Sequence, residues 1–256
     1  MKKIPLLYYT DQGTGPVVVL LHGYMASSQY WQRVVDDLAQ RHRVIALDLL
    51  GFGKSPKPSC SKYDYEAQIA SIDHTLMTLE VTEPVILVGH SMGSLVALRY
   101  ARQHQTGVSK LVLTNMPIFL NYQEAKNSIL SHSIFYYVGM RPGLHAVVWP
   151  LFKTITRLRL LPTRIGGDAA SRRAYMFQST GTSRLRSLRN VIYSAKIEAD
   201  LAALSVTTVL LSGIHDQASY IKNLTSLRLK THMRSLSVPG GHHLPITNPE
   251  LITQLI

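Results

Sequence analysis

The pentapeptide Gly89-His90-Ser91-Met92-Gly93 sets a lone serine between two glycines where an apolar run changes its period. Pro84-Val85-Ile86-Leu87-Val88 before it reads as a fully buried strand. Leu95-Val96-Ala97-Leu98 with Tyr100-Ala101 after it reads as a buried helix. A serine hydroxyl at such a strand–turn–helix junction can serve as a nucleophile held on a sharp elbow. The strained backbone of that elbow is tolerable where the residues two before and two after lack side chains, and Gly89 and Gly93 stand there. The pentapeptide alone is a common pattern. Serine is a weak nucleophile until a base takes its proton, so the chemistry depends on groups elsewhere in the chain.

The elements that must position those groups alternate. Val17–Leu21 reads as a strand followed by a helix around Gln29 to Gln40. Val44–Leu47 precedes a helix from about Asp64 to Glu80, and Lys110–Thr114 follows the helix after Ser91. Residues 117–198 break the pattern, being helix-rich with scattered Pro and Gly and no convincing strand. Thr208–Leu211 and Met233–Val238 resume the strands, and a C-terminal helix starts at Asn248. This alternation predicts a doubly wound α/β fold, with a mostly parallel sheet covered by helices on both faces. Residues 1–116 and 199–256 form the core in this reading, and 117–198 a helical insertion. Ligands of such sheets gather beyond the carboxyl ends of the strands. Four segments fall there: His22-Gly23-Tyr24-Met25, Ser91, Ser212-Gly213-Ile214-His215-Asp216 and Pro239-Gly240-Gly241-His242-His243.

The runs VVVLLHGYMASSQYWQRV, VIALDLLGFGKS, VILVGHSMGSLVALRYA, VLLSGIHDQ and VPGGHHLPITNPE carry a resemblance over essentially the whole length. In order and spacing they resemble an α/β-hydrolase fold serine hydrolase with a helical cap, of the esterase or lipase type. The resemblance implies Ser91 as nucleophile, His242 as base and Asp216 as acid, with the backbone N–H groups of Tyr24 and Met92 as oxyanion hole. Each type suits its task. The imidazole takes the serine proton, and the carboxylate holds its tautomer and stabilises the imidazolium. Two backbone donors then receive the developing oxyanion. His243 is the rival to His242, and would face the other way in an extended segment. The family's other position for the acid holds Asn115, which has no charge to offer. His22 and Asp48 read as structural loop residues. GFGKS is no phosphate loop, because Asp48 stands where the first glycine would be needed. The histidines lack metal-ligand spacing, so neither a metal nor a cofactor is implied.

Composition bounds the rest. The 256 residues are 46% hydrophobic, which excludes a disordered chain and allows one large core with an inserted lobe. No stretch approaches the ~18 uninterrupted apolar residues of a membrane span. Met1–Tyr9 has too short an apolar region for a secretory signal and reads as a first strand. The single cysteine, Cys60, permits no internal disulfide, so a cytoplasmic location is the expectation. The net charge is +12, yet no helix-turn-helix, zinc-ligand or RNP-type signature supports nucleic-acid binding. The charge is uneven. Residues 117–198 carry twelve Lys/Arg against three acids, leaving fifteen against twelve elsewhere.

Among activities of the resembled fold, dehalogenases and epoxide hydrolases normally use an aspartate nucleophile, whereas this position is Ser91. Carbon–carbon bond hydrolases tend to carry a tryptophan soon after the histidine, whereas this chain reads Leu244-Pro245-Ile246. The expected activity is hydrolysis of carboxylic esters with apolar acyl groups or of small esters, through an acyl-enzyme. A thioesterase or carbon–carbon bond hydrolase of the same fold remains an alternative. Outside enzymes, the alternative is a non-catalytic protein that binds a small ligand or a membrane surface. Apolar runs at 134–138 and 144–152, followed by Lys153, Arg157, Arg159 and Arg164, suggest a cap that lines an acyl pocket. Its basic face would adsorb weakly to anionic membranes.

Overall fold

The computed structural model describes residues 3–131 and 178–256. Among them, seven strands form one sheet in the order β1-β3-β2-β4-β5-β6-β7. The strands are β1 (Tyr9–Gln12), β2 (Val17–Leu21), β3 (Arg43–Leu47), β4 (Val85–His90), β5 (Val108–Thr114), β6 (Thr208–Gly213) and β7 (Met233–Val238). β1 runs antiparallel to β3, and every other neighbouring pair is parallel. The crossovers contain α1 (Gln32–Leu38), α2 (Tyr65–Thr78) and α3 (Met92–Gln103). After β5 come α4 (Tyr122–Ser131), α5 (Gly181–Ser187), a π-helical turn (Leu188–Ile192) and α6 (Ile197–Ala203). The chain closes with α7 (Ala218–Ser226), α8 (Leu244–Thr247) and α9 (Glu250–Thr253).

Continuous apolar strands follow from burial on both faces. In β2, Val18 and Leu20 pack with Trp31, Val34 and Leu38 of the α1 side. Val19 and Leu21 join the opposite cluster with Leu87, Val96 and Leu113. In β3, Val44 and Ala46 divide from Ile45 and Leu47 in the same way. The doubly wound sheet predicted from the alternation is the one observed. Asp64 starts α2 by accepting a hydrogen bond from the Ala67 N–H at 3.0 Å, which satisfies one orphan donor of the first turn.

Two elements differ from their prediction. The first strand is Tyr9–Gln12, later than the Met1–Tyr9 run. The backbone before it finds its partners outside the sheet: the Leu7 N–H donates to Thr75 Oγ1 at 3.0 Å and the Tyr8 N–H to Ser55 Oγ at 2.8 Å. Leu7 is thereby anchored on α2, and ladder pairing begins only where Tyr9 meets Leu47. The C-terminal helix expected from Asn248 is a four-residue turn, α9, following the equally short α8.

Within 117–198, every regular element among the described residues is helical, and α6 runs across the expected boundary at 198. Asp200 of α6 is almost fully buried between two arginines of α3, Arg99 Nε at 2.8 Å and Arg102 Nη1 at 2.7 Å. The Arg99 guanidinium also lies 4.4 Å from the centre of the Tyr65 ring. The apolar runs at 134–138 and 144–152 and the basic Lys153, Arg157, Arg159 and Arg164 lie outside the described residues. Among the described residues no helix is long and apolar enough to cross a membrane.

Candidate active site

β4 ends at His90, α3 begins at Met92, and Ser91 makes the turn alone with φ 51° and ψ −120°. This region costs a non-glycine residue about 1–3 kcal/mol, so its surroundings must over-determine it. They do. The Ser91 N–H donates to the Thr114 carbonyl at 3.0 Å, pinning the turn to β5. The hydroxyls of Ser94 and Thr114 both donate to the Gly89 carbonyl, at 2.8 and 3.0 Å. A Cβ on Gly89 would lie 2.5 Å from the Gly93 carbonyl oxygen, and one on Gly93 would lie 2.3 Å from that of Leu21. Only glycine fits at either place.

The loops after β6 and β7 approach Ser91 together. Backbone bonds from Ile214 to the Val238 carbonyl and from His215 to the Gly240 carbonyl, both 2.9 Å, tie these loops to one another. Gly240 has φ 138°, and its turn carries the chain to His242. His242 Nε2 lies 3.1 Å from Ser91 Oγ, and its Nδ1 lies 2.9 and 3.1 Å from the two Asp216 oxygens. With Nδ1–H donating to the carboxylate, Nε2 is left as the acceptor facing the serine hydroxyl. The Asp216 carboxylate also receives the Gln217 N–H at 2.7 Å and the Asn115 amide at 2.8 Å. Burial works against its ionisation. The bonds from His242, Asn115 and Gln217 outweigh that cost and hold the carboxyl below its usual value.

Asn115 therefore has a use that the sequence did not reveal. It is fully buried at the end of β5, in the left-handed region with φ 49°. Its amide donates both to Asp216 and, at 3.1 Å, to the Gly241 carbonyl, joining the acid to the loop that carries His242. The available signal is its place at the resembled family's other position for the acid, where it is set aside for lacking a charge.

Tyr24 and Met92 flank the serine. Met92 opens α3, so its N–H has no intrahelical carbonyl and sits at the positive end of the helix dipole. Gly23 abuts the elbow, since a Cβ there would stand 3.1 Å from Ser91 Cβ. Met25 then turns the loop with φ 57°. His22 supports this loop from below. The Leu49 N–H donates to its Nε2 at 2.9 Å, so its Nδ1–H donates to the Gly23 carbonyl at 2.7 Å. Burial lowers its pKa, consistent with a neutral structural ring. Asp48 accepts from the N–H groups of Ser28 and Lys54 at 2.5 and 2.7 Å, away from the serine. His243 lies 2.8 Å by Nδ1 from the Tyr30 hydroxyl, while His242 takes the place beside Ser91.

A cavity of about 490 Å³ opens over these groups. Tyr24, Pro117, Leu188, Ile192 and Tyr220 provide its apolar lining. Leu188 and Ile192 come from the π-helical turn, closed by the Tyr193 N–H on the Leu188 carbonyl at 2.9 Å. Such widened turns are frequent at functional sites. Among the described residues no group of three or more His, Cys, Asp or Glu could hold a metal ion.

A sequence model described as the alpha/beta hydrolase fold matches residues 16–249. A putative non-heme chloroperoxidase of Synechocystis sp. is 30% identical over 249 residues, covering 93% of this chain and 88% of that protein. The probable lysophospholipase BODYGUARD 4 of Arabidopsis thaliana is 35% identical over 113 residues, or 43% of this chain and only 27% of that protein. The chain thus spans little more than a quarter of that relative. Among solved structures, a thermophilic esterase from Thermogutta terrifontis with malate bound superposes with a TM-score of 0.76 at 25% identity, over 97% of this chain and 90% of that one. Since the family match runs through the sheet, the elbow and the loops of Asp216 and His242 alike, the chain belongs to the α/β hydrolase fold family.

Proposed function

We propose that the protein hydrolyses carboxylic esters, with Ser91 as nucleophile, His242 as general base and Asp216 as the acid that orients it. The observation that carries this reading is the hydrogen-bonded line from Ser91 Oγ through both nitrogens of His242 to Asp216. In the first half-reaction Ser91 Oγ passes its proton to His242 Nε2 and attacks the ester carbonyl carbon. The carbonyl oxygen becomes an oxyanion received by the N–H groups of Met92 and Tyr24, which is commonly the largest electrostatic contribution. The intermediate collapses, the C–O bond to the alcohol breaks, and the imidazolium returns its proton to the leaving oxygen. Water then repeats the sequence on the acyl-enzyme and releases the acid.

The apolar lining of Pro117, Leu188, Ile192 and Tyr220 supports an uncharged, apolar acyl group. Three of these four residues lie in the 117–198 insertion, which supports its reading as a cap. A fluorophosphonate should label Ser91 covalently, and Ser91→Ala should abolish labelling together with turnover of chromogenic acyl esters. Labelling that persists in Ser91→Ala would sink the assignment. A panel of oxygen esters beside matched thioesters, over increasing acyl length, identifies the leaving group.

A further inference from the structure

We propose that His90, the residue before the nucleophile, is a positioning residue that keeps the backbone of His242 in register with Ser91. The inference rests on the ester-hydrolase reading of those two residues. His90 is 3% exposed, and no step of the proposed reaction uses its ring. Its Nε2 lies 2.7 Å from the His242 carbonyl oxygen, so Nε2 carries the proton and donates it. A neutral imidazole has one N–H, which leaves Nδ1 bare, and Nδ1 is buried without a hydrogen-bond partner. That edge faces the loop on the other side of Ser91: a Cβ on Gly23 would stand 2.9 Å from His90 Nδ1. One ring thus touches three segments, the elbow by its own peptide bond, the base loop through the His242 carbonyl and the Tyr24 loop through Gly23.

The ring is itself held in place. Tyr30 stacks on it at 4.8 Å between centroids and 28° between planes, and the Tyr30 hydroxyl reaches His243 Nδ1. The titratable groups facing His90 are Tyr30, His22, His242 and His243, none of them a carboxylate. Burial first, then the neighbouring imidazoles, push its pKa well down and keep it neutral. The physical advantage lies in timing. The Ser91–His242 side-chain bond loses its proton in every catalytic cycle, whereas the bond from His90 to a backbone carbonyl persists through proton transfer. It holds the two loops together while the bond between them is being remade.

The test pairs two substitutions with one measurement on the unaltered chain. His90→Phe keeps a ring to stack on Tyr30 and deletes the donor, while His90→Gln returns an amide N–H close to where Nε2 stood. His90→Phe should lower kcat on a chromogenic ester about 10- to 100-fold with KM within about twofold, and His90→Gln should recover most of the loss. Unchanged kcat in His90→Phe, or equal losses in both variants of confirmed fold, overturns the proposal. Nitrogen-15 NMR of the unaltered chain should find His90 neutral with its proton on Nε2 from about pH 5 to 8. A proton on Nδ1 overturns the proposal, whether or not the variants fold. Failure of the ester-hydrolase reading shows differently: the unaltered chain then turns over no ester and takes no fluorophosphonate on Ser91, while the NMR result still decides whether His90 Nε2 donates to the His242 carbonyl.

Discussion

The Asp216 carboxylate accepts bonds from the His242 side chain on the loop after β7, from the next backbone N–H and from a strand end 101 residues earlier. The contacts with His242 and Asn115 each make a prediction. Asp216→Asn keeps the shape but presents an amide that favours the wrong imidazole tautomer. kcat should fall by about 10⁴-fold, with the circular dichroism spectrum unchanged. Asn115→Ala removes one charge-assisted donor, and such bonds are worth about 1.5–3 kcal/mol. The expected loss in kcat is about 10- to 100-fold. With that donor gone the carboxylate is less favoured, so the Asp216 pKa rises. Carbon-13 NMR of the Asp216 carboxyl should place its titration at higher pH in the variant. An Asn115→Ala enzyme with full kcat and an unmoved titration would make the Asn115 contact incidental.

At the scale of elements, the elbow works because strand, turn and helix interlock. The strain at Ser91, about 1–3 kcal/mol, is offset by Met92, Leu95 and Val96. All three are almost fully buried, and burial of one such side chain stabilises by about 1.5–3 kcal/mol. The interlock leaves no room for a methyl group. Gly93→Ala drives a Cβ to within 2.3 Å of the Leu21 carbonyl oxygen and 2.5 Å of that of His22. Because backbone must move, the expected destabilisation is about 3 kcal/mol or more, read by urea unfolding. Gly107→Ala is the control, since its nearest neighbour would be His104 Cβ at 3.9 Å. That change should stay within about 0.5 kcal/mol. Equal stabilities for the two variants would mean that the β4–α3 contact yields more easily than its geometry implies.

For the whole molecule, the buried imidazoles among the described residues, those of His22, His90 and His42, contribute to the response to acid. Burial holds the pKa of both His22 and His90 below the ordinary value. Such groups bind fewer protons folded than unfolded. Their contribution to stability is full above the unfolded value of about 6.5 and is lost progressively as pH falls below it. Asp216 acts at more acid pH. Its lowered carboxyl contributes above the unfolded value of about 3.9 and loses that contribution as pH falls through its folded value. The Tm should therefore decline between about pH 7 and 5, before carboxylates titrate. His90→Phe should flatten that decline. A Tm independent of pH in this window would show that the two rings protonate without opposition from burial.

Local pattern was enough to determine the alternation of strands and helices, the buried runs of β2, β4 and β5 and the glycine spacing of the elbow. Each of these depends on residues within one or two turns of chain, where periodicity and side-chain volume act directly. The order of Ser91, Asp216 and His242 was also legible, because strand ends of a parallel sheet share one edge. Tertiary structure decided what depends on distant neighbours. Leu7 and Tyr8 look like strand residues until Thr75 and Ser55 take their N–H groups. His242 and His243 are adjacent and chemically identical, and where the resemblance favours His242, the turn at Gly240 and the hydroxyl of Tyr30, 213 residues from His243, give the physical reason that His242 stands beside Ser91. In the sequence Asn115 stands out only as an uncharged residue at the family's other position for the acid, and His90 carries no reading at all. Their roles lie in contacts 101 and 152 residues away, with Asp216 and His242, and no local periodicity encodes a contact at that separation.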